Sequence, residues 1–470
     1  MKQFAINSEN ASFRFLYAVE PFLKSIHLKV TPGECILICG KSGSGKTTFS
    51  RLLNGISPNY IEGDLTGHVE TYGLVTGEAD IKDYVPVVGS VFQNPKTQHF
   101  TANTTYELAF PLENIGKPSN QIFKRIDETM EELDITHLLN RDIFKLSGGE
   151  KQLIAMATAN MLNPKVLVLD EVTSNLDQHA VEQMKKIIQK IKDKGVTIIL
   201  TEHRLAWSKG LVDRYVLFNE GNLIQEWKSD EFNQLTNDEL EQIGLRAMDL
   251  SEKHKMLVKK QQTTTMSKDS YLLQTKDLSI GYKKKQPVLS NISIGISQNK
   301  VTGIMGPNGV GKSTLANTLT GLLSPLSGKI LWQKKALSAK DLMKKSFLVM
   351  QDTNYQLFSE SVSEEVLLNA KHPEQKNLVL EKLNLLDVEK RHPMSLSDGQ
   401  KQRVAIASAI LSGKELIIFD EPTSGLDYFN MQRFGELLSM LKETDAITAI
   451  ITHDIELASE WCDEIIELRR

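Results

Sequence analysis

Residues 34–55 read "ECILICGKSGSGKTTFSRLLNG". A short apolar run is followed by a glycine-rich turn and then by a helix-forming run. An uninterrupted apolar run of this length reads as a strand buried on both faces, the habit of parallel sheets. The turn fits the pattern G-x-x-x-x-G-K-[ST], whose glycines let backbone N–H groups face phosphate oxygens. Gly40, Ser42, Gly43, Gly45, Lys46, Thr47 and Thr48 are therefore candidate phosphate-binding residues. In this pattern the lysine reaches the β- and γ-phosphates and the Thr47 hydroxyl ligates Mg2+. One such pattern can arise by chance in a loop. Its strand-to-helix context and a second copy decide the reading.

The second copy is "GPNGVGKS" at 306–313, with Gly306, Asn308, Gly309, Gly311, Lys312, Ser313 and Thr314 in the same parts. Other words recur in the same order. "VFQNPKTQHF" (91–100) is answered by "VMQDTNYQLF" (349–358), and "LSGGEKQL" (146–153) by "LSDGQKQR" (396–403). "LVLDEVTSNLD" (167–177) is answered by "IIFDEPTSGLD" (417–427), and "ILTEHRL" (199–205) by "IITHDIE" (450–456). Ser147 to Asp170 and Ser397 to Asp420 are both 23 residues, and Asp170 to His203 and Asp420 to His453 are both 33. Lys46 to Gln93 is 47 against 39 in the second half, and Gln93 to Ser147 is 54 against 46. The first half thus carries two insertions of 8, expected in loops. The chain is an internal duplication. Residues 1–229 read as the first domain, 230–270 as a helical segment and polar linker, and 271–470 as the second domain. Within the linker, "SEKHKMLVKKQQTTTMSK" (251–268) shows no apolar period and reads as a solvated tether, lipid or nucleic-acid contact being the lesser reading.

The 470 residues are 40% hydrophobic and 24% charged, a globular composition. The net charge of −4 gives no reason to expect nucleic-acid binding. No apolar run approaches the roughly 18 residues of a membrane span. The polar start "MKQFAINSEN" lacks a signal-peptide core, so the chain reads as cytosolic. Three cysteines make no disulfide framework, and Cys35 and Cys39 fall in the apolar run, where core packing is favoured over metal binding.

The duplicated words place chemistry at strand ends. Asp170 and Asp420 close apolar runs and suit an Mg2+-holding role, direct or through water. Glu171 and Glu421, one residue on, can polarise the attacking water. Strand ends are often acidic without function, but each pair here recurs with the phosphate loop and a later histidine. A lone histidine ending a strand is usually structural; the matched spacing favours a γ-phosphate contact for His203 and His453. Gln93 and Gln351 are candidate Mg2+ and water ligands through their place in the order.

With phosphate loop, glutamine, LSGGQ-like segment, Asp-Glu pair and histidine in this order, the chain resembles the ATP-binding cassette ATPases, twice over and apart from the linker. The resemblance implies an α/β fold: two P-loop domains in tandem, each with a mostly parallel core sheet, an antiparallel β subdomain and a helical signature subdomain. It implies ATP and Mg2+, with Ser147, Gly149, Ser397 and Gly399 as signature residues that meet the γ-phosphate of ATP held by the opposite cassette. The two cassettes would then pair head to tail within one chain. A helix N-terminus suits that task. An aromatic ahead of the phosphate loop stacks on adenine in this family. Tyr282 fits; Tyr17, one residue nearer its loop, fits equally as a core or surface aromatic.

"FQNPKTQHFTANTTYELAFPLENIG", "LSGGEKQ", "TEHRL" and "VMQDTNYQLF" resemble the duplicated ATPases of energy-coupling-factor importers. That resemblance implies a membrane-embedded scaffold and substrate-binding membrane subunits as partners, a vitamin or metal ion as cargo, and a place on the cytoplasmic face of the membrane. A ribosome-acting duplicated cassette of the translation-factor type and a duplicated sugar-importer ATPase are the alternatives. Two departures stand out. Val172 replaces the proline found at Pro422, which should change loop stiffness modestly. Asp398 replaces the glycine found at Gly148. A carboxylate facing the γ-phosphate would be repelled by about 4 kcal/mol per charge pair at about 4 Å and an effective dielectric of about 20. Turned outward it can cap the first helical turn. The site is expected to work, at equal or lower strength.

Overall fold

The computed structural model describes residues 4–94, 97–263, 271–283, 286–423 and 425–469, with the side chains of 262, 263 and 398 outside the description. The chain divides into two compact units, Met1–Met248 and Asp249–Arg470.

In the first unit the parallel strands Val88–Val91, Val166–Asp170, Thr197–Thr201, Cys35–Gly40 and Arg214–Asn219 lie side by side in that order, with Asn222–Lys228 antiparallel at the edge. Cys35–Gly40, Val166–Asp170 and Thr197–Thr201 are buried along their whole length, which is why they read as unbroken apolar runs. Cys35 and Cys39 are free thiols in this core, and burial pushes Cys39 up to about 12. A second, antiparallel sheet orders Leu23–Val30, Ile6–Phe15, Gly63–Thr71 and Leu74–Val75. Helix Gln178–Asp193 buries Met184, Ile187, Ile188 and Ile191 at helical spacing; Asp177 caps it by accepting from Ala180 N at 2.9 Å.

The second unit repeats the plan. Ser346–Val349, Leu416–Asp420, Ile447–Ile451, Val301–Met305 and Glu464–Glu467 are all parallel and stand in the same spatial order. Leu289–Ile292, Tyr271–Ile280, Ser327–Trp332 and Lys335–Ala336 form the antiparallel sheet, with Gly295–Ser297 also paired to Tyr271–Ile280. The α/β class and the mixture of parallel cores, antiparallel sheets and helices are therefore as the sequence implies.

Two expectations are corrected. The insertion between Gln93 and Ser147 was expected in loops, yet it lengthens helices. Thr104–Asn114 and Ser119–Glu132 have 11 and 14 residues, where Val362–Leu367 and Lys376–Lys382 have 6 and 7. The tether is helical over Ser251–Thr263. Leu257 is its buried apolar anchor. Lys260 Nζ donates to Ser459 O at 2.6 Å, a carbonyl in the last turn of helix Ile455–Trp461, and Lys253 pairs with Glu460. The lysines hold the helix to its own unit, a role that an apolar-period search does not register. Residues 264–270 lie outside the described residues. Among the described residues no helix is long and apolar enough to cross a membrane.

Candidate nucleotide sites

Strand Cys35–Gly40 delivers the first glycine-rich turn and helix Lys46–Leu53 leaves it. Gly40 has φ +142, and a Cβ there would lie 2.1 Å from Phe218 O, so only glycine fits. Lys46 is buried and folds back over its own loop, Nζ donating to Gly40 O at 2.9 Å and Lys41 O at 3.0 Å. The same Nζ lies 3.5 Å from His203 Nε2. Thr47 Oγ1 donates to Asp170 Oδ1 at 3.2 Å, and the Thr201 hydroxyl donates to the same oxygen. Burial pushes the Asp170 carboxyl above the usual range and Glu171 beside it adds to this, against the Thr201 and Thr47 hydrogen bonds. Gln93 Nε2 donates to Glu171 Oε2 at 2.7 Å, and His203 Nε2 lies 3.2 Å from Glu171 Oε1. The fold thus brings Lys46, Thr47, Gln93, Asp170, Glu171 and His203 together within one unit. A cavity of about 320 Å³ lies beside them, with Thr47, Gln93 and Asp170 in its lining.

The second unit repeats the lysine, the strand-end acids and the histidine of this group. Lys312 Nζ donates to Gly306 O at 2.8 Å and Pro307 O at 3.2 Å. Burial pushes the Asp420 carboxyl up to about 6, and the neighbouring Ser313 side chain opposes the rise. His453 Nδ1 lies 2.8 Å from Glu421 Oε1 but off the hydrogen-bonding direction. Gln351 is exposed just beyond strand Ser346–Val349. One difference is traceable to a single residue. Asp170 pairs in register with Thr201, Asp420 with Ile451. Without that threonine, Asp420 Oδ1 is buried with no hydrogen-bond partner. Such an oxygen fits a cation. The Ser313 hydroxyl beside it is a second oxygen donor, the chemistry Mg2+ prefers. Glu171 and Glu421 both leave their strands at positive φ, +49 and +52. Val172 and Pro422 therefore follow the same turn.

Ser147 caps helix Gly148–Asn160 and Ser397 caps helix Asp398–Leu411. Each is a reciprocal capping box: Ser147 Oγ accepts from Glu150 N at 3.2 Å and Glu150 Oε2 from Ser147 N at 2.8 Å. Ser397 Oγ accepts from Gln400 N at 3.4 Å and Gln400 Oε1 from Ser397 N at 3.1 Å. Both serines are exposed, Gly149 is buried and Gly399 partly so. A Cβ at Gly148 would meet nothing within 4 Å, so its site has room for a side chain. The Asp398 side chain itself lies outside the described residues. Tyr17 and Tyr282 are both exposed, each two residues past its strand, Ile6–Phe15 and Tyr271–Ile280.

Two residues of the glutamine segment were not singled out from the sequence. Gln98 Oε1 accepts from Phe92 N at 3.1 Å and its Nε2 donates to Ser90 O at 2.7 Å; Gln356 does the same with Met350 N at 2.7 Å and Leu348 O at 2.6 Å. Both stand five residues after Gln93 and Gln351, so the signal was present in the repeat.

Comparison with known proteins decides the family. The ABC transporter family model matches residues 23–174 and 289–424, segments that hold both phosphate loops, both signature serines and both Asp-Glu pairs. The chain belongs to the ABC transporter family. It carries the ATP-binding cassette twice, and the family implies ATPase activity. A Treponema denticola protein named as an ABC transporter ATP-binding protein is 38% identical over 465 residues, 98% of this chain and 95% of the relative. YkoD of Bacillus subtilis, named for HMP/thiamine import, is 29% identical over 494 residues, 98% of this chain and 89% of the relative. The structure of RNase-L Inhibitor is similar in fold, with a TM-score of 0.65 at 22% identity over 98% of this chain and 87% of that one.

Proposed function

We propose that both cassettes bind and hydrolyse ATP and that the chain powers an energy-coupling-factor type importer of a vitamin or metal ion, working at the cytoplasmic face of the membrane. The observation that carries the hydrolytic reading is the contact of a buried histidine with the strand-end glutamate in each cassette, at 3.2 Å for His203 and Glu171 and 2.8 Å for His453 and Glu421.

In this reading the phosphate tail of ATP takes the place of the carbonyls that now hold Lys46 and Lys312. Glu171 and Glu421 orient the attacking water and accept its proton. His203 and His453, each lying against its glutamate, donate toward the γ-phosphate. Thr47, Gln93 and Asp170, and Ser313, Gln351 and Asp420, would hold Mg2+. The ion would neutralise charge on the phosphate oxygens. Following the resemblance, the signature serine of one cassette closes over the nucleotide of the other, and Tyr17 and Tyr282 stack on adenine.

Support for the importer comes from the relationship with the Bacillus protein named for HMP/thiamine import, which extends over 98% of this chain. Exposed Phe100 and Tyr106 in the first cassette, and Tyr355 and Phe358 in the second, follow the two glutamines, where a membrane scaffold docks in such importers. Co-purification from native membranes tests this. Recovery with a membrane scaffold supports the importer; recovery with ribosomes instead supports a translation-factor role.

A further inference from the structure

Glu171 and Glu421 leave their strands in a left-handed turn, a backbone state that costs a non-glycine residue energy and needs support from its surroundings. Their own N–H groups are held by Thr201 O and Ile451 O, both at 2.9 Å. The next hold is a buried carboxyl group, and the two cassettes supply it differently. In the first, Glu202 is buried, and its Oε1 accepts from Thr173 N at 3.0 Å and Thr173 Oγ1 at 2.7 Å. Thr173 is two residues past Glu171, and Glu202 is one before His203. The bond thus ties the turn that aims Glu171 to the strand end that carries His203.

In the second cassette the position of Glu202 is Thr452, which has no carboxylate. The tie persists: Thr423 Oγ1 donates to Asp454 Oδ2 at 2.9 Å, and Asp454 is buried. Asp454 lies one residue after His453, where the first cassette has Arg204. The acid has changed sides of the histidine, yet it still meets the threonine two residues past the glutamate. Asp454 also caps helix Ile455–Trp461, its Oδ1 accepting from Glu456 N at 3.1 Å and Leu457 N at 3.3 Å. Glu202 has no such capping task, so the bond the two acids share is the one to the threonine.

We propose that Glu202 and Asp454 are positioning residues for ATP hydrolysis, each clamping the turn at the strand-end glutamate to the strand that presents the histidine. Both are buried, and they act through Thr173 and Thr423. The proposal rests on the reading that Glu171 and Glu421 act on the attacking water. Displacement of such a group by about 1 Å costs on the order of 100-fold in rate, with little effect on ground-state binding.

The test is steady-state ATP hydrolysis by the full chain, with kcat and KM separated. Glu202→Leu with Asp454→Leu is expected to lower kcat about tenfold or more, with KM for ATP within about twofold. Glu202→Gln with Asp454→Asn keeps the acceptor oxygen and is expected to stay within about threefold of the parent. Thr173→Val with Thr423→Val removes one donor from each tie and lowers kcat by about threefold or more at unchanged KM. That pair also tests the proposal if the leucine variant does not fold. An unchanged kcat in either the leucine or the valine variant overturns the proposal. So does a rise in KM that accounts for the loss, or an amide variant as slow as the leucine one. Glu171→Gln with Glu421→Gln, measured in parallel, keeps the two ideas apart. If that variant turns over normally, the water-activating reading fails; if it is inactive while the leucine variant is unaffected, only the clamp fails.

Discussion

His203 Nε2 stands 3.2 Å from Glu171 Oε1 and 3.5 Å from Lys46 Nζ, so one buried ring touches both the group assigned to the water and the group assigned to the phosphates. His453 also lies against its glutamate, through Nδ1 at 2.8 Å from Glu421 Oε1. Replacement of both histidines by alanine should lower kcat on the order of 100-fold, the lower end of what a positioned acid–base group supplies. ATP affinity, measured by equilibrium binding, should stay within about threefold.

Lys46 and Lys312 now hold backbone carbonyls of their own loops. A phosphate oxygen is a stronger partner for an ammonium than a carbonyl. Lys46→Met with Lys312→Met should weaken ATP binding about 10- to 100-fold, since one charge-assisted hydrogen bond contributes about 1.5–3 kcal/mol. Titration with a fluorescent ATP analogue reads this directly, and unchanged affinity would remove both lysines from the site.

The phosphate loops, strand-end acids and histidines were legible because each sits in an unbroken apolar strand or a glycine turn and recurs at fixed spacing. The signature helices were legible too: Ser147 with Glu150 and Ser397 with Gln400 are capping boxes at the sequence level. Helix Ser251–Thr263 was not, since its anchors are one leucine and lysines bonded to groups some 200 positions away. The clamps escaped for a related reason. Glu202 and Asp454 occupy different positions in the repeat, so matching word against word pairs Glu202 with Thr452 and hides the bond the two acids share.

Burial pushes the Glu202 carboxyl up from 4.5 to about 8; the nearby Glu171 adds to the rise and the Thr173 bonds oppose it. Between those values the folded chain holds a proton that the unfolded chain has released. Stability contributed through this group is therefore full below the lower value and falls as pH rises toward the upper one, by up to about 1.4 kcal/mol per pH unit. Glu202→Gln removes that slope. Its melting temperature, relative to the parent, should climb between pH 6 and pH 8; a constant difference would show that Glu202 ionises normally.

Gly148 occupies the place of Asp398 in the first signature, and a side chain there would meet nothing within 4 Å. Gly148→Asp should leave the melting temperature within what about 0.5 kcal/mol allows, as for an ordinary surface change. ATPase activity should then be equal or lower, through charge alone, and Asp398→Gly should leave it equal or higher. A large loss of activity in Asp398→Gly would show that the acid is required.

In the proposed function Glu171 and Glu421 drive hydrolysis in two working cassettes. The most direct measurement is steady-state ATP turnover by the chain carrying Glu171→Gln and Glu421→Gln, alongside its ATP affinity. Turnover should fall by about 100-fold or more, with ATP still bound at near-parent affinity. Turnover retained at the parent rate would remove both glutamates from the reaction.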